Sequence, residues 1–372
     1  METVLFPALD PIPLPAPVWL FVALNTLTLA LHFFAVHFLV GGLAVASLWA
    51  FVGRFRKDDV LCNATGSIAH RLPVVMTYVI NLGVPPLLFS QVLYGRALYT
   101  SSVLIGAWWI SVIALLMLSY SLLYLMNRKG GVSTATAWFG LAALIVVMKI
   151  GMIYSTNMTL MLRPEVWPEI YRSAPGGTTL GTGDPTVLPR WTFMMLGSIG
   201  VSGLGLLGLS LRGTLASGVP ELLRTWGGRL LAAFTVVQAL LGIWVMRSQP
   251  DAVQLGFSSV AFYRVCAYAW VLTALLLVAM GTMVSVRKHL SLWSFSGVAA
   301  VCLVNILLMV LVRDGIRYVT LKLAGFNVWD RAVQTNWSTV VLFLLLLVVV
   351  VVMLGWLVTV LARAKPHQER YV

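Results

Sequence analysis

The strongest constraint on this chain is the repetition of apolar runs of about 20 residues, each ended by Arg, Lys, Gly or Pro. A run of this length is what an α-helix needs to cross the hydrocarbon core of a bilayer. Soluble domains carry about 25% charged residues, whereas 60% of these 372 residues are hydrophobic and 10% are charged. The short alternating segments of a transmembrane barrel do not occur. The sequence therefore predicts an all-α polytopic bundle of membrane helices.

About nine transmembrane helices are predicted, with the N-terminus outside and the C-terminus inside. This orientation places 14 of the 25 Lys and Arg residues inside and 10 outside, with Lys149 left within a span, which follows the positive-inside rule. The bacterial cytoplasmic (inner) membrane is the predicted location. The spans cover residues 17–52, 73–95, 102–126, 134–161, 191–211, 229–247, 259–285, 291–312 and 338–362.

Two connections on the predicted outer side are long enough to have a role of their own. Residues 163–190 are rich in Pro and Gly, and residues 313–337 mix charged with aromatic side chains. Long connections in compact proteins are usually functional, partner-binding or disordered. We expect a single integral membrane domain over residues 1–372, with helices 1–5 in 1–211 and helices 6–9 in 212–372. Tethering is the simpler interpretation of the first loop, and docking on a membrane or partner is favoured for the second.

Several functional classes are disfavoured by composition. The cysteines Cys62, Cys266 and Cys302 form no CxxC or CxxCH pattern, so zinc, iron–sulfur and covalent c-type haem sites are not predicted. The sequence offers no basic soluble face that could bind nucleic acid. The net charge of +13 is therefore attributed to the membrane topology, that is, to Lys and Arg in the connections between spans. No cleavable signal peptide is expected, because the first basic residue is Arg54.

Ionisable residues within the apolar runs are the candidates for function. Every Asp and Glu is predicted to fall in a loop or a tail, which leaves His32, His37 and Lys149 at membrane depth, with Arg96 near the outer end of the second span. Such groups are costly in lipid and are functional candidates by default. The alternative is a neutral group that is hydrogen-bonded to a neighbouring helix.

The two histidines are five residues apart, which turns them about 140° from each other on a helix and prevents both from binding one metal ion. One imidazole is a candidate axial ligand of a haem iron, with His or Met from another helix opposite. The other is expected to contact a propionate, a quinone or a helix carbonyl. The pair Gly41–Gly42 permits close approach of a helix or a flat cofactor. Candidate methionines are Met148, Met152, Met158, Met161, Met194 and Met195.

The segment "LALHFFAVHFLVGGLAVASLWAF" resembles the first helix of subunit I of the cytochrome bd quinol oxidases. It is closer still to a group of bacterial bd subunit I-like membrane proteins that carry His-x4-His-Phe-x-Val-Gly-Gly and accompany multihaem c-type cytochromes. "INLGVPPLLFSQVLYGRALYTSS" and "YSTNMTLMLRPEVW" resemble the second helix and the exit of the fourth helix of that family. The resemblance covers about the first 210 residues. It implies a b-type haem with His32 as ligand, quinol or quinone as substrate, and a redox complex.

The chain also departs from the family pattern. The family's fifth-helix haem histidine falls in "PRWTFMMLGSIG" and its third-helix glutamate falls near "LLMLSYSLL", and neither segment contains that residue. No counterpart of the later methionine ligand or of the GRQPW-like quinol loop was found. Autonomous reduction of oxygen is therefore not expected, and no catalytic residue is assigned.

Three functions remain open at this point. The first is a respiratory subunit that exchanges electrons between membrane quinol and an outer multihaem cytochrome or iron–sulfur protein. In it, His32, His37 and Lys149 bind the cofactor, and Gln91, Arg96 and Asn157 contact a quinone or a partner subunit. The second is a haem-free anchor for the same kind of complex. The third is a small-anion transporter that uses the charge of Lys149.

Overall fold

The computed structural model describes residues 6–7, 12–127, 132–180 and 183–363. Four of the basic residues counted as inner, Arg128, Lys129, Lys365 and Arg370, lie outside this part of the chain. The described residues form twelve α-helices and a short 3-10 turn at Pro164–Val166. The helices are α1 (Val18–Arg56), α2 (Asp59–Ala69), α3 (Leu72–Leu104), α4 (Gly106–Met126), α5 (Thr134–Leu160), α6 (Trp167–Ser173), α7 (Val187–Ser210), α8 (Val219–Arg247), α9 (Asp251–Ser259), α10 (Ala261–Val286), α11 (Leu292–Leu323) and α12 (Trp337–Arg363).

The predicted all-α polytopic membrane bundle is confirmed. Among the described residues, eight helices are long and apolar enough to cross a membrane: α1, α3 together with the adjoining α2, α4, α5, α7, α8, α10 and α11. The ninth predicted span corresponds to α12. Its described apolar stretch, Trp337–Val349, is shorter than the run of about 20 residues that crosses a bilayer. The chain is a multi-pass membrane protein.

Three predicted connections are more helical than expected. The predicted outer loop 313–337 is wrong over residues 313–323, because α11 continues to Leu323. The predicted inner connection 53–72 contains α2, and α8 begins at Val219 rather than near residue 229. Some of the charged residues that interrupt the apolar runs are buried, namely Arg224 of α8 and Asp314 and Arg317 of α11, so charge alone did not mark where the helix ends. Arg224, for example, is buried and donates a hydrogen bond to the Val284 carbonyl at 3.2 Å.

Local signals explain the sharper helix boundaries. Lys57 adopts a left-handed conformation (φ 54°) that ends α1, and the Asp58 side chain then accepts a hydrogen bond from the Leu61 amide at 2.9 Å to begin α2. A capping box of Ser133 and Thr136 begins α5. These caps fix the reversals between consecutive helices.

The central helix of the bundle is α1, which packs against α3, α5, α7 and α11. It approaches α7 closely at Gly41, where an added Cβ would lie 2.1 Å from the Ser198 carbonyl oxygen. Gly42 is packed against Leu72 of α3. The sequence left open whether Gly41–Gly42 permits close approach of a helix or of a flat cofactor. At both positions the structure shows close approach of a helix.

One end of the bundle is covered by the long connections and is called here the N-terminal face, because α1 begins there. Leu14 pairs with residues 332–334 through its amide to the Ala332 carbonyl at 2.8 Å and its carbonyl to the Gln334 amide at 2.9 Å. Phe6 packs edge-on against Phe326 at 5.2 Å between ring centroids. Both predicted outer loops lie at this face and close over the helix ends.

Candidate functional site

A cavity of about 450 Å³ lies in the half of the bundle nearer the N-terminal face. Cofactor and ligand sites commonly have volumes of about 300–1,000 Å³ and mostly apolar walls with few polar groups. The walls come from α1, α3, α4, α5, α7, α8, α10 and α11 and are largely apolar. Polar groups in the lining belong to His32, Ser90, Tyr154, Ser155, Thr159, Arg190, Arg313 and Arg317.

His32 lies in the wall of this cavity, on α1. Its Nδ1 is 3.1 Å from the Val79 carbonyl oxygen of α3. A carbonyl can only accept, so Nδ1 carries the proton and Nε2 keeps its lone pair. No described residue donates a hydrogen bond to Nε2, which leaves it available as a ligand atom. The imidazole rests against Gly83, where an added Cβ would lie 2.9 Å from the ring.

His37 has a different environment, although it belongs to the same helix. The residue is fully buried, with an exposure of 0%, and its Nδ1 lies 2.6 Å from the Phe33 carbonyl oxygen one turn earlier in α1. Its Nε2 is buried without a hydrogen-bond partner among the described residues. The side chain does not contribute to the described lining of the cavity. The structure thus separates the two imidazoles, as their spacing predicted.

A charged cluster that the sequence analysis missed lies at the cavity wall. Asp314 is buried within α11, so the prediction that every Asp and Glu falls in a loop or a tail is wrong. Its Oδ1 lies 3.6 Å from Nη1 of Arg313 and 3.6 Å from Nη1 of Arg317, and its Oδ2 accepts a hydrogen bond from Thr26 at 3.2 Å. The opposite charges at positions i and i+3 were a signal for a helix in a segment predicted as a loop.

A third arginine joins this wall from α7. Arg190 was assigned to the loop 163–190, but α7 begins at Val187. It donates hydrogen bonds to Thr159 at 3.1 Å and to Gln249 at 2.8 Å. Three guanidinium groups therefore line the cavity, and two of them lie beside the carboxylate of Asp314.

The charged cluster of Arg313, Asp314 and Arg317 contains polar atoms that lack hydrogen-bond partners among the described residues. Nη1 of Arg313, Nη1 of Arg317 and Oδ1 of Asp314 are buried without hydrogen-bond partners among the described residues. The guanidinium of Arg313 lies 5.8 Å from the ring centroid of Phe33, which follows His32 in the sequence. An excess of buried positive charge beside an apolar cavity favours a ligand that carries an anionic group.

Lys149 does not belong to the described lining of the cavity. Its ammonium group lies 4.2 Å from the Trp108 ring centroid, between α5 and α4. That contact is a cation–π interaction, which compensates in part for loss of water. Binding of a cofactor by Lys149 stays a prediction, as does its use as an anion site.

Two of the other three predicted contact residues, Arg96 and Asn157, have structural partners in the protein. Arg96 donates a hydrogen bond to the Pro7 carbonyl and lies 5.6 Å from the Phe326 ring centroid. Asn157 is fully buried and donates to Ser102 of α3 at 3.0 Å. Gln91 is partly buried on α3, outside the described lining. Contact of any of the three with a quinone or a partner is untested.

Of the candidate methionines, Met158, Met194 and Met195 line the cavity. Met76, Met246 and Met309 line it as well and were not singled out from the sequence. Met309 is engaged by the Gln238 amide, whose Nε2 is 3.9 Å from its sulfur. Thioethers thus reach the cavity from α3, α5, α7, α8 and α11.

Ion pairs join the two ends of the loop 163–186. Arg163 forms ion pairs with Glu165 and with the buried Asp184. Desolvation lowers the pKa of Arg163, but the hydrogen bond to Glu165 and the charge of Asp184 raise it overall. Arg163 follows α5 and Asp184 precedes α7, so their ion pair closes the connection between these two helices.

No protein-family model and no curated protein sequence matches this chain. Among solved structures, the chain is similar to one in the structure of bd oxidase from Geobacillus thermodenitrificans, with a TM-score of 0.66 and 12% sequence identity. The match covers 95% of this chain and 100% of that chain. It therefore extends well past the first 210 residues, to which the sequence resemblance was confined. The chain has the fold of a bd oxidase membrane chain.

Proposed function

We propose that this chain is an integral subunit of a quinol-linked electron-transfer complex in the bacterial cytoplasmic membrane and that it binds a b-type haem through His32. The single observation that carries the proposal is the imidazole in the cavity wall, with Nδ1 held by the Val79 carbonyl at 3.1 Å and Nε2 without a partner among the described residues. A hydrogen bond from Nδ1 to a backbone carbonyl is the usual support of a metal-ligating histidine.

The residues around the cavity fit a haem. The lining supplies an apolar surface for the porphyrin, an imidazole for the iron and several thioethers as candidates for the opposite position. Arg190, Arg313 and Arg317 supply the positive charge that propionate carboxylates require. When bound, the haem would supply one-electron transfer between donor and acceptor.

The protein's own contribution is binding, orientation and electrostatics. The hydrogen bond to Val79 fixes the tautomer and the plane of His32. The arginines would hold negative charge within the bundle, where electrostatic interactions are stronger than at the surface. The substrate class, quinol, follows from the resemblance of the His32 segment to the quinol oxidases. We infer that the electron-transfer partner, a multihaem c-type cytochrome or an iron–sulfur protein, docks at the N-terminal face.

The test is a reduced-minus-oxidised visible spectrum of the purified protein, combined with a pyridine haemochrome assay. The wild-type chain is expected to show bands of a b-type haem, and His32→Ala is expected to abolish them, because no other imidazole lines the described part of the cavity. His37→Ala is the matched control: it removes an imidazole from the same helix but outside the lining and should retain the bands. Haem is expressed per folded polypeptide, judged by size-exclusion chromatography.

The outcomes separate the alternatives. Loss of the bands in His37→Ala with retention in His32→Ala would transfer the ligand role to the other imidazole. A wild-type protein without haem would contradict the haem proposal and leave the anchor function, in which the same fold holds soluble redox subunits.

A second candidate, transport of a small anion, is favoured by the buried arginines rather than by Lys149. Uptake of a labelled anion into vesicles that contain the purified chain, lost in Arg317→Met and independent of quinone, would support it. Haem that co-purifies with the chain and fills the site would contradict it.

A further inference from the structure

A groove between α5 and α7 opens at the surface of the bundle, at the N-terminal face, and is separate from the cavity that contains His32. Its volume of about 330 Å³ is within the range of ligand sites. No described residue lines both the groove and the cavity. The groove is lined by Met152 and Thr156 of α5, by Val187 and Leu188 of α7, and by Leu180, Gly183 and Asp184 of the loop 163–186.

Lys149 lies on α5 about one turn before this groove begins. It precedes Met152 by three residues and Thr156 by seven, and this spacing places all three on one face of the helix. On the same face, nearer the other end of α5, Trp138 and Ile145 are 60% and 58% exposed. The face therefore points away from the bundle and into the hydrocarbon of the membrane.

The ammonium group of Lys149 reaches the level at which the neighbouring helix α4 begins. It lies 4.2 Å from the ring centroid of Trp108, the third residue of α4. The indole nitrogen of Trp108 in turn donates a hydrogen bond to the Thr178 carbonyl of the loop 163–186 at 2.7 Å. Lysines within spans commonly extend their ammonium groups toward the interface in this way. The amine is thus near the boundary at which phospholipid head groups lie.

The positive charge of Lys149 has no anionic partner among the described residues. Its cation–π contact with Trp108 compensates only in part for loss of water. The carboxylate in the groove lining belongs to Asp184, which forms an ion pair with Arg163. Thr156 also lines the groove, and its hydroxyl has no hydrogen-bond partner in the described part of the chain. An unpaired cation and a hydroxyl beside one groove favour an anionic group with oxygen acceptors.

The shape of the surrounding surface indicates that this anion belongs to a lipid. From Lys149 to Trp138 the exposed face of α5 extends over eleven residue steps, about 16 Å of helix. This is about the depth of one leaflet, since the hydrocarbon core is about 30 Å thick. A free inorganic anion would use only the amine end of this surface, and a neutral quinone would leave the charge without a partner.

We propose that Lys149 and this groove bind an anionic phospholipid of the leaflet at the N-terminal face. The lipid phosphate accepts hydrogen bonds from the Lys149 ammonium group and the Thr156 hydroxyl, and the head group occupies the groove. One acyl chain follows the exposed face of α5 past Ile145. The site is distinct from the proposed haem site at His32 and does not depend on it.

The test is native mass spectrometry of the delipidated full-length chain in detergent, with phosphatidylglycerol as the anionic probe and phosphatidylcholine as the zwitterionic reference. Lys149→Met is expected to lower the affinity for phosphatidylglycerol about five-fold, the effect of one basic residue on binding to an anionic membrane. The affinity for phosphatidylcholine should not change. Lys149→Arg keeps the charge and should retain the affinity for phosphatidylglycerol.

Lys322→Met is the matched control. Lys322 also lies near the N-terminal face and contacts an aromatic ring, with its ammonium group 5.8 Å from the Tyr318 ring centroid. It belongs to α11, of which no described residue lines the groove. The variant should therefore bind phosphatidylglycerol as the wild type does.

A second pair of variants tests the groove itself. Leu188 is 52% exposed at its rim, so Leu188→Glu and Leu188→Lys place opposite charges there without disturbing the core. Leu188→Glu should weaken binding of phosphatidylglycerol and Leu188→Lys should strengthen it, each about five-fold.

Four results would overturn the proposal. They are equal affinities of the wild type for the two lipids, an affinity for phosphatidylglycerol that is unchanged in Lys149→Met, an equal loss of affinity in Lys322→Met, and displacement of the lipid by inorganic phosphate that binds in a Lys149-dependent manner. None of these depends on whether His32 binds haem.

Discussion

The two halves of the bundle are held together by different kinds of contact between helices. In the half far from the N-terminal face, α7, α8 and α10 meet backbone to backbone. An added Cβ on Gly203 would lie 2.4 Å from the Gly227 carbonyl oxygen, and one on Gly228 would lie 2.5 Å from that of Gly281. Such contacts between small residues are the usual basis of close helix packing in membranes.

In the other half, residues of the same helices line the cavity together with residues of α1 and α11. Polar contacts cross this half: Arg190 at the start of α7 donates to Gln249 just after α8, and Thr26 of α1 donates to Asp314 of α11. The comparison teaches that contacts between small residues hold the helices together at one end, whereas charge and hydrogen bonds connect them beside the cavity. Each prediction below changes one of these two kinds of contact.

The largest expected effect is on the stability of the half that contains the cavity and the charged cluster. Asp314→Ala removes the carboxylate near Arg313 and Arg317 and leaves their buried charges uncompensated, which should lower the free energy of unfolding by about 3–5 kcal/mol. Denaturation in detergent measures it. The double variant Asp314→Leu/Arg317→Met removes one charge of each sign and should be less destabilised than Asp314→Ala. Equal stability of Asp314→Ala and wild type would show that the cluster does not hold this half together.

The next largest effect on stability is expected in the half where glycines bring α7, α8 and α10 into contact. Gly203→Ala forces α7 away from α8, because the added methyl group meets backbone atoms that cannot turn aside, and it should cost about 1–3 kcal/mol. Gly297→Ala is the matched control, since its Cβ would meet only a Met280 methyl group at 3.7 Å. Thermal unfolding in detergent compares the two. A Gly203→Ala protein as stable as Gly297→Ala would contradict the distinction between the halves.

The smallest effect on stability is expected where the cavity touches α3. Gly83→Ala pushes the His32 ring aside by a few tenths of an ångström and should cost less than about 1 kcal/mol. It weakens the hydrogen bond to Val79, so haem retention should fall by about 10-fold, as for other supports of a metal ligand. Gly106→Ala, which meets nothing within 4 Å, is the control. Unchanged haem content in Gly83→Ala would argue against His32 as the ligand.

The sequence singled out residues that contradict their surroundings, and their role as ligands stays a prediction. His32 and His37 stand out because imidazoles are rare in apolar runs, and helical geometry alone separates them. Arg313, Asp314 and Arg317 were missed because a cluster of charges after an apolar run resembles a membrane exit. In the structure Asp314 lies beside both arginines, which line the cavity, and α11 continues through all three residues.

What the sequence determined by itself is the class of the molecule: apolar runs of membrane length can satisfy their backbone groups in lipid only as helices. Tertiary structure decided which polar groups share one space. The hydrogen bond of Thr26 to Asp314, the approach of Arg190 and the contact of His32 with Val79 depend on how helices far apart in sequence pack. The physical reason is that hydrophobicity fixes the depth of a helix in a membrane, whereas its rotation and neighbours are fixed by side-chain packing and hydrogen bonds between helices.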